Sequence, residues 1–307
     1  MSASQTDLNK RVLVALDGSP AAKAALPVAR AIARQIHARL VILHVAPTHI
    51  PEETLRQRLD LGAEIMEDVE LHIHQGGAAA GILRMIEDPR VFLTVLTTHG
   101  RNIEPGRSLG RVAEAVIAAT SRPVMLVRPE AVVPYTAPMT VLRCMLFPLD
   151  GTPTTASGFE PVTRLASTLQ ASVDVLYVAN PEQQRPSESG SVSMPSYVDQ
   201  PQHEWPEWAN EVMERLAACA QCPKEVSVRV YLAYGNVEEE IIRFAVAHNE
   251  DVIALVRKSH MEPGRARVLR AVLNRTPCPV LLTGASPAEH LHHSASAPAT
   301  AIPQGRR

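Results

Sequence analysis

Along this chain, short runs of β-branched and aliphatic residues alternate with longer stretches whose apolar positions recur every three to four residues. In the first half, RVLVALD from Arg11 reads as a strand, AAKAALPVARAIARQIHA from Ala21 as a helix and RLVILHV from Arg39 as a strand. An acidic helical stretch follows from Glu52 to about Glu70. Then come LHIHQ (strand), AAAGILRMIED (helix), VFLTVLTTH (strand), GRVAEAVIAAT (helix) and RPVMLVR (strand). Strands that are apolar throughout and separated by amphipathic helices predict parallel strands covered on both faces, a doubly wound α/β sheet.

The second half repeats the first. MLFPLDGT from Met145 restates VLVALDGS, and ASVDVLYVANP restates ARLVILHVAP. YLAYGNVEEEII matches LHIHQGGAAAGI, DVIALVRKSH matches VFLTVLTTH, and TPCPVLLTG matches SRPVMLVRP. A repeat of this length predicts two copies of one domain, over 9–129 and 141–285, joined by a Pro-rich linker over 130–140. The segment 181–206, rich in Pro, Ser, Gln and Glu, reads as a mobile loop within the second copy, and 286–307 as a disordered tail. The strands PVMLV from Pro123 and PVLLT from Pro279 end their copies. Pairing them would remove two apolar edges and make one chain imitate a dimer, with homodimerisation as a further route.

Composition narrows the function. Of 307 residues, 46% are hydrophobic and 20% charged, a balance able to bury a core, and the net charge of -2 offers no footprint for nucleic acid or an anionic membrane. No segment reaches the roughly 20 apolar residues of a membrane span, and MSASQTDLNK lacks a cationic start followed by an apolar stretch, which predicts a cytoplasmic protein. The four cysteines are too few for a disulfide scaffold. Cys219 and Cys222 form an isolated C-x-x-C at a helix end, and His290, His292 and His293 lie in the tail, so no metal site is expected.

The stretch TTHGRNIEPGRSLGRVAEAV from Thr97 carries the candidate chemistry. A strand, a Gly-rich turn and a helix in that order build a phosphate cradle, because backbone N–H groups and the helix dipole converge there; the same order also merely turns a corner. No Walker lysine and no G-x-S-x-G elbow occurs, and His44 and His99 have no evident nucleophile or paired carboxylate, so no enzyme is predicted. The turn Asp17-Gly18-Ser19-Pro20 reads equally as a helix cap, with Ser19 capping and Pro20 at the first helical position.

VLVALDGSPAAKAAL, LVILHVAP, TTHGR and GRVAEAVIAATSRPVMLV together resemble the universal stress protein family, and the two copies resemble its tandem form. The resemblance implies two flavodoxin-like or Rossmann-like domains, each a five-stranded parallel sheet with helices on both faces. In the nucleotide-binding branch it implies ATP across the C-terminal strand ends, with Asp17 facing ribose and phosphates and Val45 holding adenine through its backbone. That branch has Gly, two residues, Gly, nine residues, then Gly followed by Ser or Thr. Gly100 fits the first position, but the second falls on Ile103, the loop before Gly110 is short, and Arg111 replaces the hydroxyl residue. Gly106 stands in for the missing glycine if the loop is redrawn, Ser108 offers an amide, and Arg101, Arg107 and Arg111 supply positive charge. In the second copy Met261, Ala266 and Arg267 replace the corresponding glycines and hydroxyl, which reads as a degenerate site. Two functions therefore stand open: a non-catalytic stress-response or regulatory protein binding ATP in copy one only, or a nucleotide-free scaffold acting through protein association.

Overall fold

The computed structural model describes residues 10–48, 50–59, 69–100, 108–131, 141–179, 191, 212, 214, 216, 223–257 and 263–284. Its strands are β1 (Arg11–Ala15), β2 (Arg39–Ala46), β3 (Val69–Gln75), β4 (Val91–Thr97) and β5 (Val124–Val127), then β6 (Cys144–Leu149), β7 (Ser172–Ala179), β8 (Val228–Tyr234), β9 (Val252–Arg257) and β10 (Val280–Gly284). They form one sheet in the order β3-β2-β1-β4-β5-β10-β9-β6-β7-β8. Within each half the pairing is parallel. The chain thus repeats one strand order, 3-2-1-4-5, and reverses direction across the sheet at the switch between β1 and β4, where ligands of open α/β sheets bind.

The halves meet edge to edge. β5 and β10 pair antiparallel, with Val280 opposite Leu126, Leu281 opposite Met125 and Leu282 opposite Val124. The terminal strands cover each other, as the edge-strand argument expects. Gln35 adds a polar clamp: its side-chain Nε2 donates to the carbonyls of Leu142 (2.8 Å) and Leu169 (2.6 Å), and its Oε1 accepts from the Leu142 amide (2.9 Å).

The first copy contributes α1 (Pro20–Lys23), α2 (Ala25–Gln35), α3 (Glu52–Leu59), α4 (Ala78–Ile86) and α5 (Arg111–Ala119); the second contributes α6 (Pro153–Ala156), α7 (Phe159–Leu169), α8 (Val237–Ala247) and α9 (Pro263–Arg275). The helix expected over AAKAALPVARAIARQIHA is in fact two. Pro27 has no N–H to continue the α1 ladder, so the chain turns at Ala24 and restarts with Pro27 in the first turn of α2. Pro161 does the same in the first turn of α7. Of the helical stretch expected from Glu52 to Glu70, α3 covers Glu52–Leu59 and residues 60–68 lie outside the described residues, while Val69 and Glu70 belong to β3, paired with Leu40 and Val41.

Alternation along the strands divides the core. Val12, Val14, Ile42, Val95 and Met125 pack with Val28 and Ile32 of α2 on one face, joined by Phe147, Phe159 and Val173 of the second copy. Leu13, Leu43, Leu96 and Leu126 face Ile82 of α4 and Val116 of α5 on the other. Apolar side chains fill most of both faces. The linker beyond 131, the segment 181–206 except Ser191, the tail 286–307, and Cys219 and Cys222 lie outside the described residues.

Candidate functional site

At the end of β1 the chain folds into a tight polar turn. Asp17 Oδ1 accepts from the Ser19 amide at 2.7 Å, Gly18 adopts φ +83°, and Ser19 Oγ accepts from the Ala22 amide at 3.1 Å, capping α1. The same device recurs after β6, where Asp150 Oδ1 accepts from the Thr152 amide at 3.0 Å and Thr152 caps α6. The cap is therefore a fold feature of both copies. It also holds each aspartate at a strand end.

Two further contacts shape the ground beside Asp17. The buried His44 places Nδ1 2.6 Å from the Leu16 carbonyl, so Nδ1 carries the proton and the ring fixes the end of β1. Gly100, after β4, lies so close that a Cβ there would stand 2.6 Å from Asp17 Oδ2. A larger residue at Gly100 would have to push the Asp17 carboxylate aside.

Backbone alternation directs Val45. Leu43 accepts from the Leu16 amide toward β1, and Ala46 accepts from the Gly76 amide on the β3 side. Val45, two residues beyond Leu43, aims its peptide groups at the β1 side, just past the point where β1 ends. Its side chain is covered by α4, with Gly81 giving room: a Cβ on Gly81 would stand 2.8 Å from Val45 Cγ2.

These pieces enclose a cleft of about 410 Å³ at the switch point. Ala15, Leu43, Val45 and Ile82 give it an apolar floor, Asp17 and Gly100 one rim, and Gly110, Arg111 and Val112 the other. Thr97 and Thr98, which open the stretch singled out in the sequence, also line it. Among the expected site residues, Asp17, Val45, Gly100, Gly110 and Arg111 thus share one cavity. Ser108 lines a neighbouring cavity instead, and Arg101 and Gly106 lie outside the described residues.

The Gly110 amide donates to the Thr98 carbonyl at 2.7 Å, locking the start of α5 onto the end of β4. A first helical turn has N–H groups without intrahelical acceptors, and in α5 that turn, Arg111 to Ala113, borders the cleft.

The second copy differs at this point. α9 begins at Pro263, four residues before Arg267, the residue that matches Arg111 in the repeat. Its helix is longer by about 6 Å, one turn, so the amides matching those of α5's first turn lie inside the helical ladder. Arg267 instead pairs with the buried Glu238 at 2.6 Å. Arg257, which holds the sheet register of Thr98, is half-buried, and burial pulls its pKa down. A Cβ on Gly158 would collide with Val256, so α7 approaches this strand end closely. Met261 lies outside the described residues.

Among the described residues no group of three metal-ligating side chains occurs, and no helix is long and apolar enough to cross a membrane. Cys144 and Cys278 are free, and burial pushes the Cys278 thiol up to about 12.

A parallel α/β unit with strand order 3-2-1-4-5, built twice in one chain, defines a tandem protein of the doubly wound α/β class. Residues 8–128 and 142–284 each match the Universal stress protein family, and the chain belongs to that family. A protein of Thermus aquaticus described as "Universal stress protein in QAH/OAS sulfhydrylase 3'region" is 30% identical over 135 residues, covering 39% of this chain and 98% of its own length. A universal stress protein of Mycolicibacterium smegmatis (strain ATCC 700084 / mc(2)155) is 34% identical over 133 residues; the match spans 38% of this chain and 45% of that protein. Among solved structures, a universal stress protein from Archaeoglobus fulgidus superposes with a TM-score of 0.58 at 13% identity, over 92% of this chain and all of that one. A putative universal stress protein from Pseudomonas aeruginosa gives 0.57 at 13% identity, over 91% and 94%. At that identity the likeness is one of fold.

Proposed function

We propose that this universal stress protein is a non-catalytic regulatory protein whose first copy binds an adenine nucleotide, while the second copy binds none. The observation that carries the reading is the 410 Å³ cleft at the β1/β4 switch. It joins an apolar floor suited to a base, a backbone segment at Val45 directed at that floor, and a carboxylate rim at Asp17 suited to ribose hydroxyls. The first turn of α5 and Arg111 supply the phosphate side. The cleft's titratable side chains are Asp17, His99 and Arg111, and Asp17 and His99 already serve the fold through Ser19 and Thr98, which favours binding over turnover.

For the second copy, the support is the extra turn of α9 and the commitment of Arg267 to Glu238. The test is direct. Protein purified from cells and denatured should release an adenine nucleotide detectable by mass, at up to one per chain. Two per chain would refute the asymmetry. Recovery of none, with no heat on titrating ATP into the protein, would favour a scaffold acting through protein association.

A further inference from the structure

A second cavity of about 370 Å³ opens beside the cleft and shares Thr98 and His99 with it. It lies on the seam between the copies. Ser108, Arg128 and Glu130 come from the first copy, Leu273 and Asn274 from α9 of the second. Nothing in the repeat pattern marks this place, but the repeat shows its asymmetry: Arg128 matches Gly284, which sits against the Ser121 carbonyl across the same seam.

Arg128 is held from the other copy, because its Nη1 donates to the Asn274 carbonyl. Its Nε–H is buried and has no hydrogen-bond acceptor. The Glu130 carboxylate stands near it at 3.6 Å, beyond hydrogen-bond reach, with its other oxygen 3.4 Å from His99 Nε2. The His99 Nδ1 faces the Thr98 hydroxyl at 3.0 Å; with the hydroxyl donating there, Nε2 carries the proton and points at the carboxylate. Two N–H groups, one on each side of a loosely placed and half-exposed carboxylate, form a pocket for an anion better shaped to reach both. A phosphate has the oxygens to do so, and guanidinium pairs with it strongly.

We infer that the seam cavity receives the terminal phosphates of a nucleotide whose adenosine lies in the adjoining cleft, with Arg128 as the main anion ligand, His99 and Ser108 assisting, and Glu130 as the carboxylate it displaces. This rests on the nucleotide reading of the cleft. It gives the second copy a role: its α9 carbonyl positions the phosphate-binding arginine of the first.

Calorimetric titration of the full chain with ATP, ADP, adenosine and inorganic tripolyphosphate tests the assignment. The unmodified protein should bind ATP more tightly than adenosine by at least tenfold. Arg128→Ala should weaken ATP about tenfold to a hundredfold and leave adenosine unchanged. Glu130→Gln, an exposed change that spares the fold, should tighten ATP several-fold and again leave adenosine unchanged. Adenosine and ATP binding alike to the unmodified protein would overturn the seam site and leave the cleft reading standing. So would an Arg128→Ala loss shared equally by both, or a Glu130→Gln protein with no preference gained. Tripolyphosphate binding as tightly as ATP would reassign the cavity to a free inorganic anion and overturn the nucleotide form of the proposal. No binding of either nucleoside or nucleotide would overturn the cleft reading and the seam site together.

Discussion

Glu250, at the foot of β9, is buried, and no N–H or O–H donor reaches either of its carboxyl oxygens. Its neighbour is a second buried carboxylate, Asp174 on β7, which is held by Arg229 through Nε at 2.8 Å and Nη2 at 3.0 Å. Burial first, and then the Asp174 charge, raise the Glu250 carboxyl from the ordinary 4.5 to about 8, with Asp251 adding to the rise and Arg229 opposing it. Tyr231, in the same cluster, is raised by burial and Asp174. The folded protein therefore keeps a proton that the unfolded chain releases. Stability from this group is complete below pH 4.5, declines as pH rises above that and is lost through about 8, at up to about 1.4 kcal/mol per pH unit. Glu250→Gln should flatten the fall in melting temperature between pH 6 and pH 9 and leave the variant the more stable protein at pH 9. Parallel curves for the two proteins would reject this account.

At the scale of elements, the contrast between α5 and α9 concentrates the functional argument in two arginines at one repeat position. Arg111→Ala removes a charge from the cleft rim and should weaken ATP by roughly tenfold to a hundredfold. Arg267→Ala should leave ATP affinity alone. It strips the buried Glu238 of its partner and should lower stability, by about 1 kcal/mol given the exposure of the arginine. Titration and thermal melts of the two variants separate the roles, and equal effects on ATP would remove the asymmetry. The strands were legible beforehand because Val, Ile, Leu and Ala fill runs such as LVIL and VLVAL without polar interruption. The break at Ala24 was not, although Pro27 was in view, because an apolar period running through a proline looks like one helix. In the site, Asp17, Val45, Gly100, Gly110 and Arg111 lay at ends of readable elements and meet in one cleft. Arg128 escaped notice because its neighbour Asn274 is 146 residues away, and its meaning comes from a seam that no local pattern encodes.

For the whole molecule, the seam decides whether the copies act as one body. The β5–β10 pairing supplies backbone bonds over three residue pairs, a short contact for two domains of this size. Gln35 adds what the strands cannot, because one side-chain amide satisfies both polar groups of the fully buried Leu142 and the last carbonyl of α7, at the point where the chain enters the second copy. Gln35→Ala would leave those groups buried without partners, at about 1–3 kcal/mol each for any that water does not reach. Gln35→Glu keeps the acceptor for the Leu142 amide but replaces the donor with a second acceptor facing two carbonyls, so it should cost more than alanine. If the copies unfold together, both variants should lower a single melting transition, in the order glutamate below alanine below the unmodified protein. If the clamp only joins two independent domains, the melt should split in two, with the individual midpoints nearly unmoved. Differential scanning calorimetry distinguishes these outcomes, and a single unmoved transition would show that Gln35 carries no weight at the seam. A bound nucleotide whose phosphates reach Arg128 should raise the single transition of the unmodified protein, since the ligand then favours the folded form of both copies at once.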